Sequence, residues 1–97
     1  DARLEAAIVT ARVPGIDARL TRQVVAFVQA LRALDLKKLP SISETLDWAR
    51  AIVLLHGGQI DRALVRDTLN VLLKFEADID HAESQMTDLL RAAEAAD

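Results

Sequence analysis

The sequence predicts an all-α protein, a small helical bundle of four to five helices. Apolar residues recur every three or four positions along most of the 97 residues, which is the spacing of one face of a helix. No segment alternates apolar and polar residues over more than four positions, and no hairpin dipeptide separates two β-rich segments, so a sheet is not expected. Pro14-Gly15, Pro40 and Gly57-Gly58 divide the chain into segments of helix length.

The first two predicted helices lie on either side of Val13-Pro14-Gly15. Leu4, Ile8 and Val9 give residues 1–12 a short amphipathic pattern. Asp17 suits an N-cap, because its carboxylate can accept a free amide of the first turn. Apolar residues then repeat with helical spacing and predict a helix over residues 18–34, through Leu20, Val24, Phe27, Val28, Leu31 and Leu34.

The third predicted helix is the one around which we expect the others to pack. Pro40 ends the preceding segment, and Ser41 with Glu44 three residues later forms a capping box. Two apolar stripes follow, so most of the helix circumference is expected to be buried. The stripes are Leu46-Ala49-Val53 and Trp48-Ile52-Leu55, and the helix ends before Gly57-Gly58.

The remaining segment predicts a fourth helix capped by Asp61 and a last helix that is long and acidic. From Phe75 the apolar spacing alternates between four and three residues, which is typical of a coiled-coil seam. The seam consists of Phe75, Ile79, Ala82, Met86, Leu89 and Ala93. Five helices are expected, with the fourth and fifth either separate or continuous.

Composition and charge exclude several classes of protein. The net charge of −3 argues against nucleic acid as a partner, because that affinity depends on a basic surface. Residues 1–74 hold eleven Lys/Arg against eight Asp/Glu, whereas residues 75–97 hold one against seven, which is typical of a solvated acidic face. The absence of cysteine and of a long apolar run predicts a cytoplasmic protein with no membrane partner. Because the chain begins at Asp1 and its only methionine is Met86, we expect the natural protein to extend upstream.

Catalytic and metal motifs are not found in the sequence. The three glycines lack the spacing of a phosphate-binding loop, so the chain is not expected to hold a triphosphate alone. His56 is interpreted as a capping or packing residue at a helix end. His81, after Asp78 and Asp80, lacks the spacing of a zinc or calcium site and is interpreted as part of a solvated acidic turn. Trp48 lies on an apolar stripe, which favours packing over ligand stacking. We therefore expect no catalytic activity from this chain.

Three short segments resemble sequence motifs of a known protein family. They are Leu-Pro-Ser-Ile-Ser-Glu-Thr-Leu-Asp-Trp-Ala-Arg-Ala at 39–51, Thr-Leu-Asn-Val-Leu-Leu-Lys at 68–74, and Val-Pro-Gly at 13–15. Together they resemble the C-terminal helical lid of MoxR-type AAA+ ATPases, over about residues 5–80. The resemblance implies that the lid packs beside an α/β nucleotide-binding core. It also implies that the start of the third helix faces the nucleotide, through Ile42, Ser43, Glu44 and Asp47.

The resemblance carries further expectations about cofactors. Such lids commonly have an arginine near this helix start that reaches the terminal phosphate of the nucleotide. The matching position falls on or next to Ser43, and no arginine is there. ATP and Mg²⁺ are implied as cofactors of a parent ATPase, with none bound by this chain alone.

We therefore expect residues 1–97 to be a single helical lid domain, the C-terminal part of a longer ATPase. Such a lid helps to enclose ATP and to assemble a ring for chaperone-like remodelling, while the core hydrolyses ATP. The implied partners are that AAA+ core in the same chain, neighbouring subunits of the ring, and a von Willebrand-type partner protein. The alternative is a stand-alone helical protein–protein interaction module that binds a partner helix in a groove beside Trp48.

Overall fold

The computed structural model describes residues 1–55 and 57–96, and this part of the chain is all-α, as the sequence predicts. Its six helices are α1 (Ala2–Arg12), α2 (Ala18–Arg32), α3 (Ile42–Leu54), α4 (Arg62–Leu72), α5 (Glu76–Ser84) and α6 (Met86–Ala95). The longest of these helices has 15 residues. Within the described residues, no helix has the length and apolar character needed to cross a membrane.

The first four helices begin close to where the sequence predicts. In each, the side chain of the residue before the helix accepts a hydrogen bond from a backbone N–H three residues later, which satisfies one free amide of the first turn. The four caps are Asp1 (to Leu4, 2.8 Å), Asp17 (to Leu20, 2.7 Å), Ser41 (to Glu44, 3.2 Å) and Asp61 (to Leu64, 2.9 Å). Gly15, in the turn between α1 and α2, has φ +85°, a conformation that glycine adopts without steric cost.

The predicted long acidic helix is wrong, because the chain breaks there into α5 and α6. Leu73 and Phe75 are extended, which separates α4 from α5. Gln85 leaves helical geometry between α5 and α6, and Ser84 Oγ donates a hydrogen bond to the His81 carbonyl oxygen at 2.6 Å. The break turns the chain so that α6 packs along α2 while α5 contacts α4. The described residues thus form six helices rather than four to five.

The core is shared by α2 and α3. α2 contacts α1, α3 and α6, and α3 contacts α1, α2 and α4. At their centre Trp48 and Phe27 are completely buried, with ring centroids 5.1 Å apart. One part of the prediction for α3 is wrong: Leu55 is 59% exposed, because α3 ends at Leu54 and Leu55 lies in the turn that follows, whereas Trp48 and Ile52 on the same stripe are buried.

Close packing favours glycine just after α3. A Cβ on Gly57 would lie 2.8 Å from Leu64 Cδ2 and 2.9 Å from Ile52 Cγ2. The Gly57 N–H also donates a hydrogen bond to the Ile52 carbonyl oxygen at 2.9 Å. The chain therefore passes close to α4 at this point, and a side chain at position 57 would require Leu64 and Ile52 to shift.

Candidate functional site

The start of α3, where the resemblance places nucleotide contacts, is a complete capping box. Ser41 Oγ accepts the Glu44 N–H at 3.2 Å, and Glu44 Oε1 accepts the Ser41 N–H at 2.9 Å. Thr45 Oγ1 also donates to the Ser41 carbonyl oxygen at 3.0 Å. These bonds confirm the predicted capping box and fix the first turn of α3 relative to the preceding loop.

Glu44 is buried and faces the protein rather than solvent. Its carboxylate lies 3.2 Å from Lys38 Nζ and 3.4 Å from Lys74 Nζ. Burial disfavours the charged carboxylate, but hydrogen bonds from the Ser41 N–H and the Lys38 ammonium outweigh it. Together they lower the pKa of Glu44 from its ordinary value of 4.5 to about 2. Glu44 therefore stays ionised and joins the helix start to the loop before α3 and to the end of α4.

Two of the four predicted site residues lie together at an open surface. Ile42 is 38% exposed and Ser43 is exposed, and both line a groove between α1 and α3. Asp47 is exposed but lies outside this groove, where its carboxylate pairs with Arg50 Nη1 at 3.3 Å. The structure thus brings Ile42 and Ser43 to one surface and separates Glu44 and Asp47 from it.

The groove at this surface, named here the α1–α3 groove, is mostly apolar. It is open to solvent and has a volume of about 450 Å³, which is within the usual range for small-molecule sites of roughly 300–1,000 Å³. Its lining consists of Ala7, Ile8, Ala11 and Arg12 from α1 with Ile42, Ser43 and Leu46 from α3. Arg12 is the charged residue among them, and Ser43 supplies a hydroxyl. Such a lining suits a ligand with an apolar body and an anionic group.

Arg32 holds the two walls of the groove together. Its guanidinium donates to both carboxylate oxygens of Glu5 on α1, at 2.8 and 2.7 Å. It also donates to the Pro40 carbonyl oxygen at 2.9 Å and to Thr45 Oγ1 at 3.3 Å. Burial disfavours the charge on Glu5, but hydrogen bonds from Arg32 and Gln29 and the charge of Arg32 together lower the pKa of Glu5. One side chain of α2 therefore joins α1, the loop and α3.

Asp78 corrects the interpretation of the acidic turn around His81. The sequence suggested a solvated turn, but Asp78 is 3% exposed, and its carboxylate accepts the Lys37 and Lys38 N–H groups at 2.8 and 3.2 Å. Lys37 Nζ also lies 5.8 Å from the centre of the Phe75 ring. The start of α5 thus anchors the loop before α3. Asp80 is exposed, as expected of a solvated face.

The remaining candidates from the sequence have structural roles where they are described. Trp48 has no exposed surface, and its Nε1 donates to Thr68 Oγ1 at 2.7 Å, which confirms packing over ligand stacking. Among the residues described, no three His, Asp or Glu side chains lie close enough together to hold a metal ion. The interpretation of His56 as a capping residue lies outside the described residues.

Sequence reasoning missed the two connections that organise this region. Glu5 and Arg32 are 27 positions apart, and Asp78 lies 41 positions from Lys37. Glu5 stands beside apolar residues on α1, and Asp78 precedes Ile79 on the predicted seam. A charged residue next to a core position indicates that its side chain is partly buried and needs a partner. It does not show which distant residue that partner is.

Comparison with known proteins gives no match. No protein-family model, curated protein or solved structure is similar to this chain. Evidence for a function therefore comes from the α1–α3 groove and from the sequence motif at residues 39–51.

Proposed function

We propose that this chain is the helical lid of a MoxR-like AAA+ ATPase and that its α1–α3 groove faces the nucleotide. The proposal is supported mainly by the position of residues 39–51, the segment that resembles a MoxR-type lid. Residues 39–51 form the loop, the capping box and the first turns of α3, and two of them, Ile42 and Ser43, line the open groove. The segment that resembles a nucleotide-facing element thus borders a groove of suitable size.

The lining of the groove fits the chemistry of a nucleotide. Ile8, Ile42 and Leu46 offer apolar contacts for a base, while Arg12 and Ser43 offer donors for phosphate oxygens. Glu44 would repel phosphate if it faced the groove, but its carboxylate is directed to Lys38 and Lys74. The helix start is therefore free of an unpaired negative charge.

In this proposal the lid closes over ATP and contributes to ring assembly, while an α/β core in the same chain carries out hydrolysis. In the same proposal the core binds Mg²⁺ together with the phosphates of ATP. Neighbouring subunits and a von Willebrand-type partner protein are part of the same proposal, and so is the cytoplasmic location. The work of the ring is chaperone-like remodelling of another protein.

The deciding experiment is to sequence the gene upstream of Asp1 and to assay its full product. The proposal requires a strand followed by a phosphate-binding loop roughly 200 residues upstream, and ATP hydrolysis by the whole protein. The 97-residue chain alone should bind ATP no better than about millimolar and hydrolyse none, because a lid contact is strong only where a core holds the triphosphate. An open reading frame without that loop would end the proposal, as would tight ATP binding by residues 1–97.

A substitution in the full protein tests the direction in which the groove faces. Ser43→Arg adds a guanidinium at the position where such lids commonly carry one. Tighter ATP binding is expected, by up to about 10- to 150-fold for one hydrogen bond to a charged group. Asn70→Arg, which adds the same single positive charge at an exposed position on α4, is the control. Equal affinities of the Ser43→Arg protein and the wild type would mean that the helix start is turned away from the phosphates.

For the alternative, a stand-alone interaction module, the structure changes the expected binding groove. The expected groove beside Trp48 is not found, because Trp48 is fully buried. A partner helix would instead use the α1–α3 groove, in which Ile42 is 38% exposed. Leu4, which is 61% exposed and lines an adjoining pocket with Ile8 and Ile42, would extend the apolar contact. The upstream sequence separates the two functions, since a stand-alone module needs no phosphate-binding loop.

A further inference from the structure

We infer that Arg12 is the phosphate-binding residue of the α1–α3 groove, taking the role for which the start of α3 has no arginine. The inference rests on the proposed function and assigns a residue to it. Arg12 ends α1, and Ser43 lies in the first turn of α3, yet both line the same groove. An anionic group that enters the groove can therefore reach both the Arg12 guanidinium and the Ser43 hydroxyl.

The other cations around the start of α3 already have partners. Lys38 and Lys74 bind Glu44, and Arg32 binds Glu5. Arg50 pairs with Asp47 and donates to the Arg12 carbonyl oxygen at 3.4 Å. Moving Arg32, Lys38 or Lys74 to a phosphate would take a partner from the buried carboxylate of Glu5 or Glu44, which costs part of the energy that the new contact gains. The exposed pair of Arg50 with Asp47 costs little to break, but Arg50 does not line the groove.

Arg12 differs because its guanidinium is available. It makes no hydrogen bond or ion pair with any residue in the described part of the chain. Its backbone, by contrast, is held in place: the next residue, Val13, donates to the Val9 carbonyl oxygen at 2.9 Å, and Arg50 donates to the Arg12 carbonyl oxygen. A free guanidinium on a fixed backbone can bind a phosphate with two hydrogen bonds and without breaking an existing contact.

The size and chemistry of the groove favour a nucleoside triphosphate over a bare anion. The groove has a volume of about 450 Å³, and apolar side chains form most of its lining. Such a lining suits a base and sugar rather than an inorganic ion. Arg12 is the charged residue among the lining side chains, so the anionic part of the ligand is expected at its guanidinium. We therefore expect the base towards Ile8 and Ile42 and the phosphates towards Arg12.

The test is an NMR titration of the ¹⁵N-labelled 97-residue chain with ATP, sodium triphosphate and adenosine at constant ionic strength. In the wild type, millimolar ATP should shift the amides of residues 7–12 and 42–46. Arg12→Ala should raise the Kd for ATP and for triphosphate about 10-fold, the low end for a hydrogen bond to a charged group. Its Kd for adenosine should stay the same, and Arg12→Lys should fall in between because it lacks the bidentate geometry.

Arg66→Ala is the matched control, since Arg66 is an exposed arginine on α4, away from the groove. It should bind ATP like the wild type, and unchanged melting temperatures would show that each variant is folded. Equal ATP affinities of the Arg12→Ala and wild-type chains would overturn the inference, as would a wild-type titration without shifts in the groove. Either result would leave the lid proposal standing, because that proposal is decided by the upstream sequence and by ATP hydrolysis in the full protein.

Discussion

At the scale of single residues, the Thr68 hydroxyl completes the buried aromatic pair. Its oxygen accepts the Trp48 indole N–H at 2.7 Å and donates to the Leu64 carbonyl oxygen at 2.8 Å. Thr68→Val keeps the shape but leaves the indole N–H without an acceptor, which should lower the free energy of unfolding by about 1–3 kcal/mol. Urea denaturation measures this loss. Thr68→Ser keeps the hydroxyl and should lose less, so equal losses would assign the effect to packing instead.

Glu44 should make stability depend on pH in the acid range. Its pKa falls from 4.5 to about 2 on folding, so its stabilising effect is present above pH 4.5 and is lost as the pH falls through about 2. Because Lys38 and Lys74 are about half exposed, we expect roughly 2 kcal/mol, below the full value of about 3 kcal/mol for such a shift.

Glu44→Gln should remove that dependence. The variant should be about 2 kcal/mol less stable than the wild type at pH 7, and the difference should shrink as the pH approaches 2. Urea titrations at several pH values provide the measurement. Glu83→Gln, at an exposed position on α5, is the control and should follow the wild type. A constant difference between the Glu44→Gln and wild-type chains at every pH would contradict the assignment.

At the scale of elements, α3 offers two leucines in opposite environments. Leu46 is 8% exposed and Leu54 is 77% exposed. Leu46→Ala should cost about 2–3 kcal/mol, the lower part of the range of roughly 2–5 kcal/mol for such changes, because the adjoining groove can partly collapse. Leu54→Ala should change stability by less than about 0.5 kcal/mol. A denaturant midpoint unaffected by Leu46→Ala would show that α3 does not depend on this contact.

The sequence predicted those parts of the elements that depend on neighbouring residues. Asp17, Ser41 and Asp61 cap their helices because each reaches an amide three residues away, so the pattern is visible locally. The break at Gln85 was not predictable in this way, since an apolar spacing of four and three fits one helix or two. For the candidate site, the local pattern placed Ile42 and Ser43 at the helix start. It could not show that Glu44 turns inwards, because Lys74 is 30 positions away.

At the scale of the whole molecule, α5 and α6 complete the bundle. Met86, Leu89 and Ala93 are buried in the core, and Asp78 holds the loop before α3. Truncation after Lys74 should therefore expose the apolar face of α2 and lower the melting temperature, with association or loss of cooperative unfolding. Circular dichroism and size-exclusion chromatography check this. A chain lacking residues 95–97 keeps these contacts and is the control. A truncated chain with the original melting temperature and monomeric elution would show that α5 and α6 are a solvated extension.

Arg32 couples the motions of the first three helices. A force that displaced α1 relative to α2 would have to pull the Glu5 carboxylate away from the Arg32 guanidinium, and a buried charge left without its partner costs about 3–5 kcal/mol. Because Arg32 belongs to α2 and also donates to the Pro40 carbonyl oxygen and to Thr45, a small load on α1 should move α2 and the start of α3 with it. The two walls of the α1–α3 groove are therefore coupled through a residue that lies outside the groove.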